Sequence, residues 1–425
     1  MFPVPSPAPH RHAGFSLVEI MVGMVIGMFG LIIMMQVFSL SEAQKRSTTG
    51  GGDATSAGTL ALYGLQRDIR QAGYGFYDVN MVGCNVLLRP GVVLNAMAPL
   101  TINHAQIPAG DANTDTLLVV YGNFAGSPQG DGLLSSTNTP GINNYWANTP
   151  SMFAVNDRVI VTAPTRPNPC SVGNQLILDT VTVSNINPPN AGRVDVAIGV
   201  ANMKGGILFN LGQSPKVVAY AVRGGNLTQC DYVANDCSAA GNVGNTTIWV
   251  PIGSNIVSLR AQYGRDTWRT WDMTKTPPIA VSPAVAVTSA TANMDGVVDQ
   301  YDQIAPATTT AATSAFGGTP FCDWVRISAV RMVLVARNAQ PEKTTTDPVT
   351  GLPVHVTSAN PTWEGSVANN PVGTAANPAG SVATPIDVSA TTVPAGFTWQ
   401  DFRYKVLQTT IPMRNVAWQG VAPGC

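Results

Sequence analysis

The sequence predicts an α+β protein: one long N-terminal helix followed by a large antiparallel β head with long loops. Three observations predict it. Residues 17–40 form an unbroken run without Pro whose only charged side chain is Glu19. A second helical pattern follows within twenty residues of that run. Beyond residue 115 the chain switches to short β-branched runs bounded by Gly, Pro and Asn, which read as strands.

The first element is long enough to span a bilayer. At 1.5 Å per residue, residues 17–40 give about 36 Å of helix against a hydrocarbon core of about 30 Å. Lys45 and Arg46 follow it, and Arg11 is the only fixed cation before it. A carboxylate near a bilayer centre costs roughly 2.5–3.5 kcal/mol or more, so Glu19 is a functional residue by default. Gly23 and Gly27 form a GxxxG pattern that permits close helix approach, and Gly30 extends the small-residue face.

Residues 48–53 contain Gly50, Gly51 and Gly52. Each glycine costs about 1 kcal/mol in a helix relative to alanine, so a hinge or melted turn is expected there. Asp53 is placed to cap the next helix. Leu62, Leu65, Ile69 and Ala72 then recur on one face, with Arg67, Asp68 and Arg70 expected to point away. Gly73 ends the helix. The predicted organisation is a leader (1–14), a membrane half-helix (15–47), a glycine hinge (48–53), an amphipathic half-helix (54–73) and a head (74–425).

Within the head, strands are expected at 116–121, 158–162, 176–183, 217–222, 248–250, 256–263, 325–336 and 404–410. Alternation in 256–263 and 325–336 predicts a sheet with one wet face, and a bulge in the second run. Residues around 280–319 and 341–398 are rich in Ala, Thr, Ser, Pro and Asn, and read as long surface loops or partly disordered insertions.

Composition excludes some functions. Only 11% of residues are charged and the net charge is −1, so nothing predicts a nucleic-acid partner. The four histidines lie away from any nucleophile–acid pattern, and no HExxH, GxSxG or P-loop occurs, so no catalytic residue is assigned. The tryptophans are expected in the core rather than in a sugar site. Six cysteines without a CxxC pair favour disulfides over a metal site, with fifteen connectivities open. Cys230 and Cys237, flanking a short polar loop, are the first candidate pair. Buried free thiols are the alternative.

No cofactor is expected, with one exception to weigh. Asn293, Asp295, Asp299 and Asp302 fall at positions 3, 5, 9 and 12 of a calcium-type loop, with Gly296 at its turn position. Thr291 replaces the first acid and Asp302 the usual Glu. The alternative is a polar turn on Asp295-Gly296 that needs no metal.

The N-terminus has a more specific pattern. Gly14 precedes Phe15, and Glu19 is the fifth residue after that glycine. Together they resemble the processing motif of type IV prepilins. A discarded secretory signal peptide and a plain membrane anchor are the competing readings, but neither accounts for Gly14 and Glu19 together. The resemblance extends into the head. Residues 67–74 (RDIRQAGY), the LxxxYGxDT pattern on Leu259, Tyr263, Gly264, Asp266 and Thr267, residues 325–337, and residues 410–415 (TIPMRN) resemble PilW-type minor pilins.

The resemblance implies a pilin-like fold, cleavage after Gly14 by a prepilin peptidase, and methylation of the new N-terminus at Phe15. It also implies that Glu19 meets the terminal amine of a neighbouring subunit. Other minor and major pilins would be partners through the helix, in a complex that initiates assembly and sits near the tip. The chain would lie in the inner membrane, head in the periplasm, and then in the pilus. A pseudopilin of type II secretion shares this plan, and a pilus-borne adhesin using the Thr/Pro-rich loops is the alternative of a different class.

Overall fold

The computed structural model describes residues 16–417 except 77, 79, 136–142, 168–169, 171–174, 186–191, 267–269, 273–278, 282–297, 299, 307–321, 343 and 365–383. The chain forms two compact units, Met1–Gly52 and Asp53–Cys425. In the first, the helix begins at Leu17, and Leu17–Glu42 is long and apolar enough to cross a membrane, with none of it buried. The helix is continuous over Leu17–Gln71, so the chain has no melted turn at 48–53 and Asp53 lies within the helix instead of capping a new one. Gly50, Gly51 and Gly52 are helical. A propensity cost of about 1 kcal/mol per glycine is a weak term that regular hydrogen bonding on both sides overrides. The boundary between the two units nevertheless falls at these glycines.

In the second unit the helix turns Ala54, Gly58, Ala61, Leu65, Asp68, Ile69 and Ala72 inward. Small residues lead this face, so the backbone lies close to the strands beneath it. A Cβ on Gly58 would lie 2.5 Å from Leu407 Cδ1 and 3.1 Å from Ala336 Cβ. One on Gly253 would lie 3.0 Å from Ala61 Cβ.

Two antiparallel sheets receive the helix. The first has five strands in the order Val250–Gly253, Asn226–Asp231, Lys216–Arg223, Leu117–Tyr121 and Leu100–Ile102. The second has four, in the order Gln300–Asp302, Ile256–Arg265, Ile327–Arg337 and Tyr404–Pro412. Leu65 and Ile69 share one core with Val119, Tyr220 and Leu227 of the first sheet and Leu259, Val330 and Leu334 of the second.

The predicted wet face on the second sheet is absent. Ile256–Arg265 and Ile327–Arg337 are buried on both faces. The outer face is covered by Trp363, Ile386 and Val388, which pack on Val257, Val333 and Val335. Part of the low-complexity segment is therefore a folded cover, paired at Thr362–Trp363 with Thr384–Pro385. Two of the polar residues that suggested a wet face pair with each other across the strands: Arg331 Nη2 donates to Gln262 Oε1 at 3.0 Å. Val325 belongs to a short helix, Cys322–Val325, and the strand starts at Ile327. Register shifts occur between Ile256 and Ser258 and between Gly264 and Arg265.

A third component went unpredicted. Six strands, Asp131–Ser135, Asn144–Ala147, Arg158–Thr162, Asp179–Asn185, Arg193–Val196 and Ile207–Gly212, close into a barrel. It has its own core, with Leu133, Tyr145, Phe153, Val181, Val194 and Leu208. Another core joins the barrel to the five-stranded sheet through Ile160, Phe209, Leu118 and Ala219.

The helix is tied to the head by polar contacts as well. Asp68 is buried, against expectation, and its carboxyl accepts hydrogen bonds from the Tyr220 hydroxyl and from Arg67 Nε. Burial, and then the neighbouring Asp68, push the Tyr220 and Tyr121 hydroxyls far above their ordinary range, so both stay protonated as donors. Gln66 Nε2 donates to Thr409 Oγ1 at 2.9 Å. At the C-terminal end Asn415 Nδ2 points at the last carbonyls, 3.1 Å from Gln71 O and 3.2 Å from Ala72 O. Gly73 leaves the helix at φ +80°, and its N–H donates to Val120 O of the sheet at 2.9 Å.

Substituting Gly58→Leu should cost about 1–3 kcal/mol by overpacking, and Tyr220→Phe about 1–3 kcal/mol by removing a donor from a buried carboxyl. Urea unfolding of each variant against wild type checks both. A pH effect follows from His104, which is buried with Nε2 donating to Asn95 O at 2.6 Å and Nδ1 accepting from Gln106 N–H. Burial lowers its pKa. Below about pH 6.5 the unfolded chain takes a proton that the native imidazole resists, so stability falls as pH falls, by at most about 1.4 kcal/mol per pH unit. The difference in unfolding midpoint between pH 7.5 and 5.5 should shrink in His104→Leu.

Candidate functional site

The site is the first turn and exposed face of the N-terminal helix. Ser16 O accepts the N–H of Glu19 at 3.0 Å and of Ile20 at 3.2 Å, which starts the helix just ahead of the carboxylate. A carboxylate in a first turn is favoured by the helix dipole. At 3.6 residues per turn, Glu19, Gly23, Gly27 and Gly30 fall within about 80° of one another, on a single stripe. A Cβ placed on any of the three glycines meets nothing within 4 Å. Around that stripe the large apolar side chains are uncovered: Leu17 is 74% exposed, Phe29 63% and Phe38 74%. The arrangement offers an apolar shaft, a shallow track for another helix, and one acid able to take up a cation. Gly14 and Phe15 lie outside the described residues.

The interior patterns that resembled a family have structural work in the head. On the LxxxYGxDT strand, Leu259 O accepts the N–H of Asp115 at 2.8 Å, and the Tyr263 hydroxyl accepts the N–H of Ile102 at 2.6 Å. The Asp115 carboxyl is buried and accepts from Arg260 Nη1 and Ala261 N, both at 3.0 Å. These bonds join the two sheets edge to edge. Gly264 leaves room for Tyr301 and Ala329, whose side chains a Cβ would approach to 3.0 and 3.2 Å. Asp266 N donates to Arg326 O at 2.9 Å, and Thr267 lies outside the described residues.

Of the calcium-type loop, Asn293, Asp295 and Asp299 lie outside the described residues. Asp302 is fully buried, and Arg265 Nε sits 3.0 and 2.9 Å from its two carboxylate oxygens. Ile304 N donates to the same carboxylate at 2.9 Å. That carboxylate is the partner of a guanidinium, a role the spacing alone did not reveal. Among the described residues no group of three metal-type ligands occurs.

Cys230 is joined to Cys237, with Cα atoms 6.0 Å apart, and Cys84 to Cys170, at 5.0 Å. The second bridge closes a loop of 86 residues, and in the chain-entropy view such a loop restricts the unfolded state by about 4–5 kcal/mol. His355 Nδ1 lies 2.8 Å from Asp401 Oδ1, but the hydroxyl beside them, Thr344 Oγ1, donates to the same carboxylate. Against the effect of its burial, the Thr398 N–H first, and then His355 and Thr344, hold Asp401 well down, at about 2. The group is a clamp at the base of the Thr345–Thr346 and Pro353–Val354 hairpin. Trp249, Trp324 and Trp363 are buried in the head.

Comparison with known families matches both ends of this arrangement. Residues 9–35 match the prokaryotic N-terminal methylation motif, and residues 234–415 match the type IV pilus-assembly protein W family. No curated protein and no solved structure matches the chain. The family is one of structural pilus-assembly proteins, and the motif with its apolar helix supports membrane anchoring and association with other pilus components. With the methylation motif on its helix and the family match running through its four-stranded sheet, the two findings support a PilW-type minor pilin of type IV pilus assembly.

Proposed function

We propose that the chain acts in the complex that initiates pilus assembly and remains near the pilus tip. A prepilin peptidase cleaves it between Gly14 and Phe15, and the amine of Phe15 is methylated. Before assembly it crosses the inner membrane once, with the head in the periplasm. The observation that carries this reading is the uncovered apolar helix with a single carboxylate, Glu19, in its first turn. Apolar side chains from Leu17 to Leu40 are stable in lipid or against other apolar helices, not in water.

Glu19 decides between those two environments. An unpaired carboxylate in hydrocarbon is unstable by several kcal/mol, and the terminal ammonium of a neighbouring subunit offsets that cost. Transfer from lipid into a filament therefore favours the register that brings the pair together. The small-residue stripe on Gly23, Gly27 and Gly30 supports close helix contact in the same register. Bulk supports the tip position: the head carries an additional barrel, and a subunit at the end of a filament has no successor stacked above it.

Two measurements test this. Mass spectrometry of the mature protein should find a methylated Phe15 N-terminus in cells with the peptidase and an uncut chain in cells without it. Glu19→Ala should be cleaved and inserted as wild type is, yet fall about tenfold or more in sheared pili, the size expected from losing 1.4 kcal/mol or more of pairing. Wild-type recovery of Glu19→Ala in pili would remove the pairing step from the mechanism.

A further inference from the structure

The barrel occupies an unusual place in the chain. Leu117–Tyr121 and Lys216–Arg223 are neighbours in the five-stranded sheet, with Tyr121 paired directly to Lys216. A short turn would suffice to join them. Instead residues 122–215 leave the sheet, close the six-stranded barrel and return to the same point. The segment lies wholly outside residues 234–415, which match the pilus-assembly family. It has its own core, and the Cys84–Cys170 bridge fastens it to the rest of the head. Among the described residues its strands join neither the helix nor the four-stranded sheet.

At one end of this barrel is a cavity of about 710 Å³. That is within the range of about 300–1,000 Å³ typical of small-molecule sites, which favour the mouths of barrels. One wall is formed by Gly199, Val200 and Ala201, and side-chain hydrogen bonds hold the segment that carries it. The buried Asp179 carboxyl accepts the N–H groups of Ala197 at 3.1 Å and Gly199 at 2.7 Å, and the Tyr145 hydroxyl accepts that of Val200 at 2.7 Å. The other walls bring in Thr165, Arg166 and Gln175 beside Val161 and Met203. Arg166 is itself fixed, with Nη1 donating to Val82 O at 2.7 Å.

The lining has a chemical bias. Its polar side chains are a hydroxyl, an amide and a guanidinium, and no carboxylate is among the described lining residues. Such a wall donates more hydrogen bonds than it accepts. The apolar remainder of the described lining is aliphatic side chains and Met203, with no aromatic ring among them. The complement is a compact molecule rich in acceptor oxygens that also carries a short apolar substituent.

We propose that the barrel cavity binds an acylated sugar, with its hydroxyl and carbonyl oxygens on Thr165, Gln175 and Arg166 and its acyl methyl against Val161 and Met203. This gives the minor pilin a recognition activity separate from its part in assembly. The expected adhesive surface therefore moves from the Thr/Pro-rich loops to the inserted barrel.

Saturation-transfer NMR on the full-length protein in detergent tests it, with N-acetylglucosamine and N-acetylneuraminic acid as neutral and acidic probes and glucose as the unacylated control. At least one acylated probe should bind saturably, and glucose should bind about tenfold or more weakly, as loss of a buried substituent predicts. Ala201→Phe, which fills the cavity from its fixed wall, should abolish binding while recovery in sheared pili stays at the wild-type level. Gln175→Ala removes a donor without adding bulk and should weaken binding with an unchanged thermal midpoint. The proposal is overturned if neither acylated probe saturates, if glucose binds as well as they do, or if either variant binds like wild type. Because the readout is sugar binding and not piliation, its failure would leave the assembly reading standing.

Discussion

The close seating of the helix on two sheets at once is the contact on which the head depends. Neither sheet alone has a complete core: the inward faces of Leu117–Tyr121 and Ile327–Arg337 both end against Ala61, Leu65 and Ile69. Small residues make that possible. With Gly58 beneath Leu407 and Ala61 against Gly253, the helix backbone reaches a depth that larger side chains would prevent. Packed interiors leave no slack for a methylene or two, so the sequence of the helix and the spacing of the sheets are one specification.

Charge fixes what apolar packing leaves free. Leucine and isoleucine faces tolerate sliding, whereas the buried Asp68 beside Tyr220 and the buried Asp115 beside Arg260 admit one alignment each. Burying a carboxylate is costly even when it is paired, so such groups are weak evidence for stability. Their effect here is register. Asp68 sets the helix along the five-stranded sheet, Asp115 sets one sheet against the other, and the Arg265–Asp302 pair fixes the far edge of the second.

The parts of this fold that were legible in the sequence are those governed by local period. The apolar helix, its amphipathic continuation and the longer strands all declare themselves through spacing, as with Leu62, Leu65, Ile69 and Ala72. The glycines at 50–52 misled because propensity is local and weak, while a long hydrogen-bonded helix is cooperative. Asp68 misled because a charged residue is read as solvent-facing until its partner, Tyr220, is known, and the two are 152 residues apart. The wet face assigned to Ile327–Arg337 was lost for the same reason, since its cover comes from Trp363, Ile386 and Val388 later in the chain. Most barrel strands were missed because several are short, as with the four residues of Asn144–Ala147 and Arg193–Val196. Of the candidate site, Glu19 was legible because a lone charge in an apolar run contrasts with everything near it. The barrel cavity was not, because its walls are assembled from separate connections and carry no motif.

That difference bears on how one chain could hold the two proposed tasks. In the proposed function the helix is constrained along its length, since each residue from Leu17 to Leu40 would meet lipid or another subunit and the pairing of Glu19 would admit no shift in register. The connection between Tyr121 and Lys216 is constrained only at its ends, which the sheet holds together by direct pairing. Lengthening a connection whose ends are already held adds only logarithmically to its closure entropy, about 0.6 kcal/mol for each doubling. A folded unit placed there leaves the sheet's register unchanged and keeps the helix face free. The geometry therefore lets the barrel vary without altering the register of the five-stranded sheet or the face of the helix.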